Sequence, residues 1–218
     1  MTDAIIKLND VWKIYKNGEH VIHSLASINY SVEEGSFNII YGPSGSGKST
    51  LIRVIGLLEQ PTMGKVWIKG ENSGKLAQKK RNIAIRDEIG FLFQGSNLIP
   101  TLNALENITL PMVRSDKKLA KKLLEKVGFK DHKKLPKEMS IEEGRRVSLA
   151  RAMVNNHSII LADEPTGDLH TADSEKFIKI LQELNRTEDL TVIVTTNNRN
   201  IPKLGGNLVE IADGTFVQ

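Results

Sequence analysis

The nine residues Gly42-Pro43-Ser44-Gly45-Ser46-Gly47-Lys48-Ser49-Thr50 constrain this chain more than any other part of it. They follow an apolar run, Phe37 to Tyr41, and open a helical run from Ser49 through Leu58. The pattern G-x-x-x-x-G-K-[ST] between a buried strand and a helix predicts a phosphate-binding loop. Glycines let successive backbone N–H groups curl around phosphate oxygens, and the helix start adds the positive end of its dipole. Lys48 is placed to neutralise the β- and γ-phosphates of a nucleotide, and the Ser49 hydroxyl to ligate Mg²⁺. Gly42, Ser44, Gly45, Ser46, Gly47, Lys48, Ser49 and Thr50 are therefore the candidate nucleotide-binding residues. A Gly/Ser-rich linker with a chance lysine would lack the strand before and the helix after.

The rest of the chain supplies an α/β setting for that loop. Further short apolar runs, Ser158 to Ala162 and Thr191 to Thr195, end in polar turns as parallel strands do. Helical spacing joins Leu119, Ala120, Leu123, Leu124 and Val127, with Ser115 as the expected N-cap and Gly128 as terminator. Phe177, Ile178, Leu181 and Leu184 repeat that spacing. Leu208 to Ile211, Asp213-Gly214 and Thr215 to Val217 read as a hairpin. Between about Gly95 and Val154 only helical patterns occur. The expected organisation is a single domain over residues 1–218, whose mostly parallel sheet (1–94 and 155–218) carries an inserted helical subdomain (95–154).

Ser158-Ile159-Ile160-Leu161-Ala162-Asp163-Glu164 delivers two adjacent carboxylates at the end of an apolar strand. Downstream of a phosphate loop, such an aspartate completes the Mg²⁺ shell, which makes Asp163 a metal ligand alongside Ser49. Glu164 is positioned to polarise an attacking water.

Composition removes several alternatives. The chain has no cysteine, which excludes disulfides, thiol catalysis and Cys-based zinc sites. A net charge of +4 is spread over short groups such as Lys79-Lys80-Arg81, with no interleaved aromatic residues, so no nucleic-acid partner is expected. No apolar stretch approaches the roughly 18 residues of a membrane span. The amino terminus, MTDAIIKLND, lacks a basic-then-apolar pattern. A cytoplasmic location is expected, with any membrane role exercised through a partner.

At this point the residues resemble the ATP-binding cassette (ABC) ATPases over essentially the whole length. The resemblance implies a RecA-like P-loop NTPase fold with an added antiparallel β subdomain. Tyr15 occupies the position of the aromatic that stacks on adenine. Gln94, in Phe91-Leu92-Phe93-Gln94, matches the Q-loop glutamine that contacts Mg²⁺ and water. Asp163-Glu164-Pro165-Thr166-Gly167-Asp168-Leu169 matches the Walker-B and D-loop block. Asn97-Leu98-Ile99-Pro100 and Glu106-Asn107-Ile108-Thr109-Leu110-Pro111 look like the lipoprotein-release and macrolide-export subgroup. Members act as dimers that drive a membrane permease, so a second ATP-binding subunit, identical or different, and an integral membrane partner are implied. The chain would then sit on the inner face of the cell membrane.

Two family elements depart from their pattern. The signature L-S-G-G-[QE]-x-x-R, which clamps the γ-phosphate of ATP held by the other protomer, here reads Met139-Ser140-Ile141-Glu142-Glu143-Gly144-Arg145-Arg146. Ser140 is kept for nucleotide contact, but Ile141 and Glu142 replace both glycines. A carboxylate about 4 Å from a γ-phosphate is repelled by a few kcal/mol at an intermediate effective dielectric. Asn197 stands where the switch histidine belongs, and an amide cannot become cationic. His170 replaces the usual D-loop aspartate and is read as a solvated side chain. The expected catalytic set is Glu164, Gln94, Lys48 and Asn197. These readings predict an ATPase that binds firmly and turns over slowly, or else a nucleotide-gated regulatory subunit. A soluble ABC protein acting on DNA or ribosomes would resemble a tandem or coiled-coil design that 218 residues do not hold.

Overall fold

Buried strand residues alternate between two apolar cores, and this alternation organises the molecule. A computed structural model describes residues 4–155 and 157–217, apart from the side chain of Asn17. In chain order, β1 (Ala4–Asn17) and β2 (His20–Glu33) lead into β3 (Phe37–Tyr41) and α1 (Lys48–Ile55). β4 (Met63–Ile68) and β5 (Glu71–Asn72) precede α2 (Gln78–Glu88) and β6 (Ile89–Leu92). Three helices follow without an intervening strand: α3 (Ala104–Thr109), α4 (Lys117–Lys126) and α5 (Ile141–Ala152). β7 (Ile159–Asp163), α6 (Thr171–Thr187), β8 (Thr191–Thr196), β9 (Asn207–Ala212) and β10 (Thr215–Val217) complete the chain.

One sheet has the strand order β10-β9-β3-β8-β7-β6. All its pairs are parallel except the β9–β10 hairpin. The second sheet, β2-β1-β4-β5, is antiparallel. Ile39, Ile160, Ala162, Val192 and Val194 face the core shared with α3, α4, α5 and α6. Their neighbours Ile40, Ile159, Leu161 and Ile193 face the core shared with α1 and the antiparallel sheet. Burial on both faces explains why these strands are continuous apolar runs. Each fully buried Ile or Leu contributes about 1.5–3 kcal/mol.

The sequence expectations hold for the architecture and shift at element ends. α1 stops at Ile55, short of Leu58, because Gly56 closes it and the chain turns at Leu57 (φ +59). Gly56 lies so close to β6 that an added Cβ would meet the Phe91 ring at 2.4 Å. Asp116, not Ser115, caps α4, accepting from Lys118 N and Leu119 N. Gly128 does terminate α4 (φ +74), with Gly128 N donating to Glu125 O and Phe129 N to Leu124 O, the paired bonds of a Schellman motif. β7 begins at Ile159, one residue later than expected, and carries Asp163 as its last residue. Asp213 and Gly214, both at positive φ, make the two-residue hairpin turn.

Candidate functional site

The phosphate loop springs from the C-terminal end of β3, which lies between β8 and β9. Its glycines are required for two different reasons. At Gly42 a Cβ would lie 2.2 Å from Ile211 O, and at Gly47 (φ +101) it would lie 2.4 Å from Ser24 O. Gly45 (φ +81) has nothing within 4 Å, so its backbone faces open space in a conformation L side chains avoid. The loop is also pinned from outside: Gly42 N donates to Thr196 O and Gly214 N to Ser46 O. Ser46 Oγ is buried and has no hydrogen-bond partner.

Lys48, only 4 % exposed, points its ammonium back into this loop. Nζ donates to Gly42 O (2.9 Å) and Pro43 O (2.7 Å) and stands 3.3 Å from Glu164 Oε1. A buried cation requires such partners. Ser49 Oγ donates to Asp163 Oδ1 at 3.1 Å, and Thr195 Oγ1 donates to the same oxygen at 2.8 Å. Glu164, at φ +45, turns the chain out of β7, and its N–H donates to Thr195 O. Glu164 and Asp163 thus diverge, the first toward Lys48 and the second toward Ser49. Ser44, Gly45, Gly47, Lys48, Ser49, Thr50, Gln94, Glu164 and Asn197 line one cleft of about 350 Å³ together with Ser24. Gly42, Ser46 and Asp163 stand behind it and hold it.

These residues fit a Mg-nucleotide. The cradle is open at Gly45, Ser46 Oγ is unpartnered, and one hydroxyl and one carboxylate adjoin. Among the described residues no group of three or more His, Asp or Glu side chains could enclose a metal by itself. That suits Mg²⁺, which keeps waters and phosphate oxygens around one or two carboxylates.

The signature segment lies elsewhere. Ser140 caps α5 in a reciprocal capping box: Glu143 N donates to Ser140 Oγ (3.1 Å) and Ser140 N to Glu143 Oε2 (2.8 Å). A hydrogen bond from Lys134, then one from the Ser140 backbone, holds the Glu143 carboxyl below its ordinary range. Ile141 is 58 % exposed. The Glu142 carboxylate is paired with Arg146 Nη2 at 2.6 Å, one turn along the helix. The repulsion expected from Glu142 is thereby reduced, because its charge is partly neutralised within α5.

A family model described as ABC transporter matches residues 25–167, more than half of the chain. An uncharacterized ABC transporter ATP-binding protein of Methanocaldococcus jannaschii is 41% identical over 223 residues, covering 96% of this chain and 94% of the relative. The chain belongs to the ABC transporter ATP-binding family. A macrolide export ATP-binding/permease protein of Agrobacterium fabrum is 36% identical across 100% of this chain, which spans 34% of that protein. A solved dimeric ATP-binding cassette, in a post-hydrolysis state bound to ADP and Pi, superposes with a TM-score of 0.89 at 38% identity. That match covers 98% of this chain and 97% of the other.

Within this cassette, Tyr15 and Ser140 are the candidates that neither line the cleft nor stand directly behind it. Tyr15 is half-buried on β1, its hydroxyl donating to Glu59 Oε2 at 2.6 Å. Sequence reasoning missed the residues that brace the site. Thr195, buried in β8, fixes both Asp163 and Glu164. Arg145, 1 % exposed, donates to Phe93 O (2.9 Å) and Asp168 Oδ2 (2.8 Å), joining α5 to the segments around Gln94 and Glu164. A polar Thr195-Thr196 pair ending an apolar strand was the available signal for the first; Arg145 offered none.

Proposed function

We propose that this cassette is the ATP-binding and slowly hydrolysing subunit of a transporter complex that powers or gates a permease of the lipoprotein-release, drug- or peptide-export type. The observation that carries the reading is the convergence of Lys48, Ser49, Asp163 and Glu164 on one loop whose Gly42 and Gly47 admit no Cβ. Lys48 and the loop amides would bind the phosphates, Ser49 and Asp163 with Gln94 would hold Mg²⁺, and Glu164 would orient water. Bound Mg²⁺ would supply positive charge to offset that of the phosphates. Tyr15 stacks on the adenine, and Ser140 and Asn197 contribute polar contacts to phosphate. Residues 1–94 and 155–218 act as the nucleotide-binding core, with 95–154 as a helical subdomain.

Dimerisation with a second ATP-binding subunit is supported by the dimeric solved relative, and a permease partner by the macrolide export relatives. No helix among the described residues is long and apolar enough to cross a membrane. In this reading, attachment to the inner face of the membrane runs through the permease partner. The regulatory alternative has no observation of its own, since a solved relative holds ADP and Pi. Slow turnover follows from Ile141, Glu142 and Asn197, which leave no composite site whole in a homodimer. Calorimetry with Mg-ATP on the folded chain tests binding. Steady-state phosphate release by the purified dimer tests rate: a value of about 1 per second or faster, ordinary for enzymes, rejects slow turnover.

A further inference from the structure

Between the tip of the antiparallel sheet and the end of α1, four side chains form a cluster outside the cleft. Glu59 is its centre. Its Oε2 accepts from the Tyr15 hydroxyl at 2.6 Å and lies 3.0 Å from Lys13 Nζ, while its Oε1 lies 2.7 Å from Arg53 Nε. Lys13 also donates to Gln60 O at 2.9 Å and stands over the Tyr15 ring, 5.1 Å from its centroid. Burial works to raise the Glu59 carboxyl. Hydrogen bonds from Tyr15 and Lys13, with the charges of Lys13 and Arg53, outweigh that and carry it below its ordinary value, so it is ionised at neutral pH.

The cluster reaches the phosphate loop. Arg53 Nη2 donates to Thr50 Oγ1 at 3.4 Å, and Thr50 Oγ1 also accepts from Ser24 Oγ at 2.8 Å. Thr50 and Ser24 both line the cleft. A chain of polar contacts therefore runs from the Tyr15 ring, through Glu59 and Arg53, to the cradle.

We propose that Glu59 is the positioning residue for base recognition: it clamps the Tyr15 hydroxyl and so fixes the ring on which the adenine rests. This rests on the reading that Tyr15 stacks on the base. A tyrosine on a surface strand otherwise samples several ring orientations. A charge-assisted bond to a carboxylate, itself held by two cations from different elements, selects one of them before the nucleotide arrives. Ordering the platform in advance lowers the entropy lost on binding.

The test compares Mg-ATP with Mg-tripolyphosphate, which carries the phosphates but no base, by titration calorimetry on the folded chain. Tyr15→Phe removes that bond outright, and Glu59→Gln, whose amide oxygen still accepts, strips it of its charge assistance. Each is expected to weaken Mg-ATP about three- to tenfold, the worth of one hydrogen bond, while tripolyphosphate binding stays within about twofold. The two changes combined are expected to do no more than Tyr15→Phe alone. If Tyr15→Ala leaves Mg-ATP affinity unchanged, the stacking reading fails, and the proposal with it. If Tyr15→Ala weakens Mg-ATP but Glu59→Gln and Tyr15→Phe do not, stacking stands and the proposal is overturned. Equal losses for Mg-ATP and tripolyphosphate in Glu59→Gln would also overturn it, because Glu59 would then act on the phosphate loop through Arg53.

Discussion

The phosphate loop and the start of α5 carry family motifs of equal length, yet only the first has kept its glycines. At Gly42 and Gly47 the chain's own backbone oxygens stand where a Cβ would be, at 2.2 and 2.4 Å. At Ile141 and Glu142 nothing in the chain excludes a side chain: one is 58 % exposed and the other pairs with Arg146. Gly42 and Gly47 are demanded by folding, so losing either of them endangers the protein before catalysis is at issue. The second set is demanded only by what approaches from outside. A helix start with an intact capping box folds without them, so the cost of their loss does not fall on the fold of this chain.

Lys48→Ala gives the largest expected effect. Removing a buried charge-assisted partner of the phosphates should weaken Mg-ATP about a hundredfold or more in calorimetry; a loss under threefold would remove the cradle from the comparison. Next, restoring Ile141→Gly, Glu142→Gly and Asn197→His together should raise steady-state phosphate release about tenfold or more, as expected when missing transition-state donors are supplied. An unchanged rate would mean that the altered motifs do not limit turnover. Gly42→Ala should lower stability by about 1–3 kcal/mol through overpacking, whereas Ile141→Gly should cost no more than about 1 kcal/mol, the helix-propensity difference. Urea midpoints measured on both variants decide whether folding, rather than function, holds the first glycine.

The smallest effect concerns Tyr30, whose ring packs edge-on against Phe216 of the hairpin that pins the loop (centroids 5.2 Å apart). Burial raises the Tyr30 hydroxyl to about 12, against 10.0 ordinarily. The unfolded chain therefore ionises first, and stability present below pH 10 is lost as pH rises toward about 12. Chemical denaturation across that range should show a fall that Tyr30→Phe flattens. A fall of equal depth in Tyr30→Phe would assign it to other groups.

What was legible in the sequence was whatever is encoded locally. The phosphate loop, the apolar strand before Asp163, the terminator Gly128 and the Asp213-Gly214 turn each occupy a few neighbouring residues whose types their geometry requires. β1 and β2 were not read from the residues. Their register shifts between Leu8 and Val11, and Asp10 sits at φ +47, so the apolar alternation breaks within the strand. Only the family resemblance implied an antiparallel sheet. The braces Thr195, Arg145 and Glu59 escaped for another reason: each works through partners tens of residues away. Arg145 looks like any solvated helix arginine until α5 packs and buries it against Phe93 and Asp168.

The place of β6 in the sheet has a mechanical meaning. β3, which carries the cradle, is laddered on both sides, by β8 and β9; β6, which leads to Gln94, is laddered on one, by β7. Among the described residues, one flank of β6 has no strand partner, so a load applied there would meet fewer ladder hydrogen bonds than one applied at β3. The sheet is thus best anchored where the phosphate loop is mounted and least anchored toward the segment that holds Gln94.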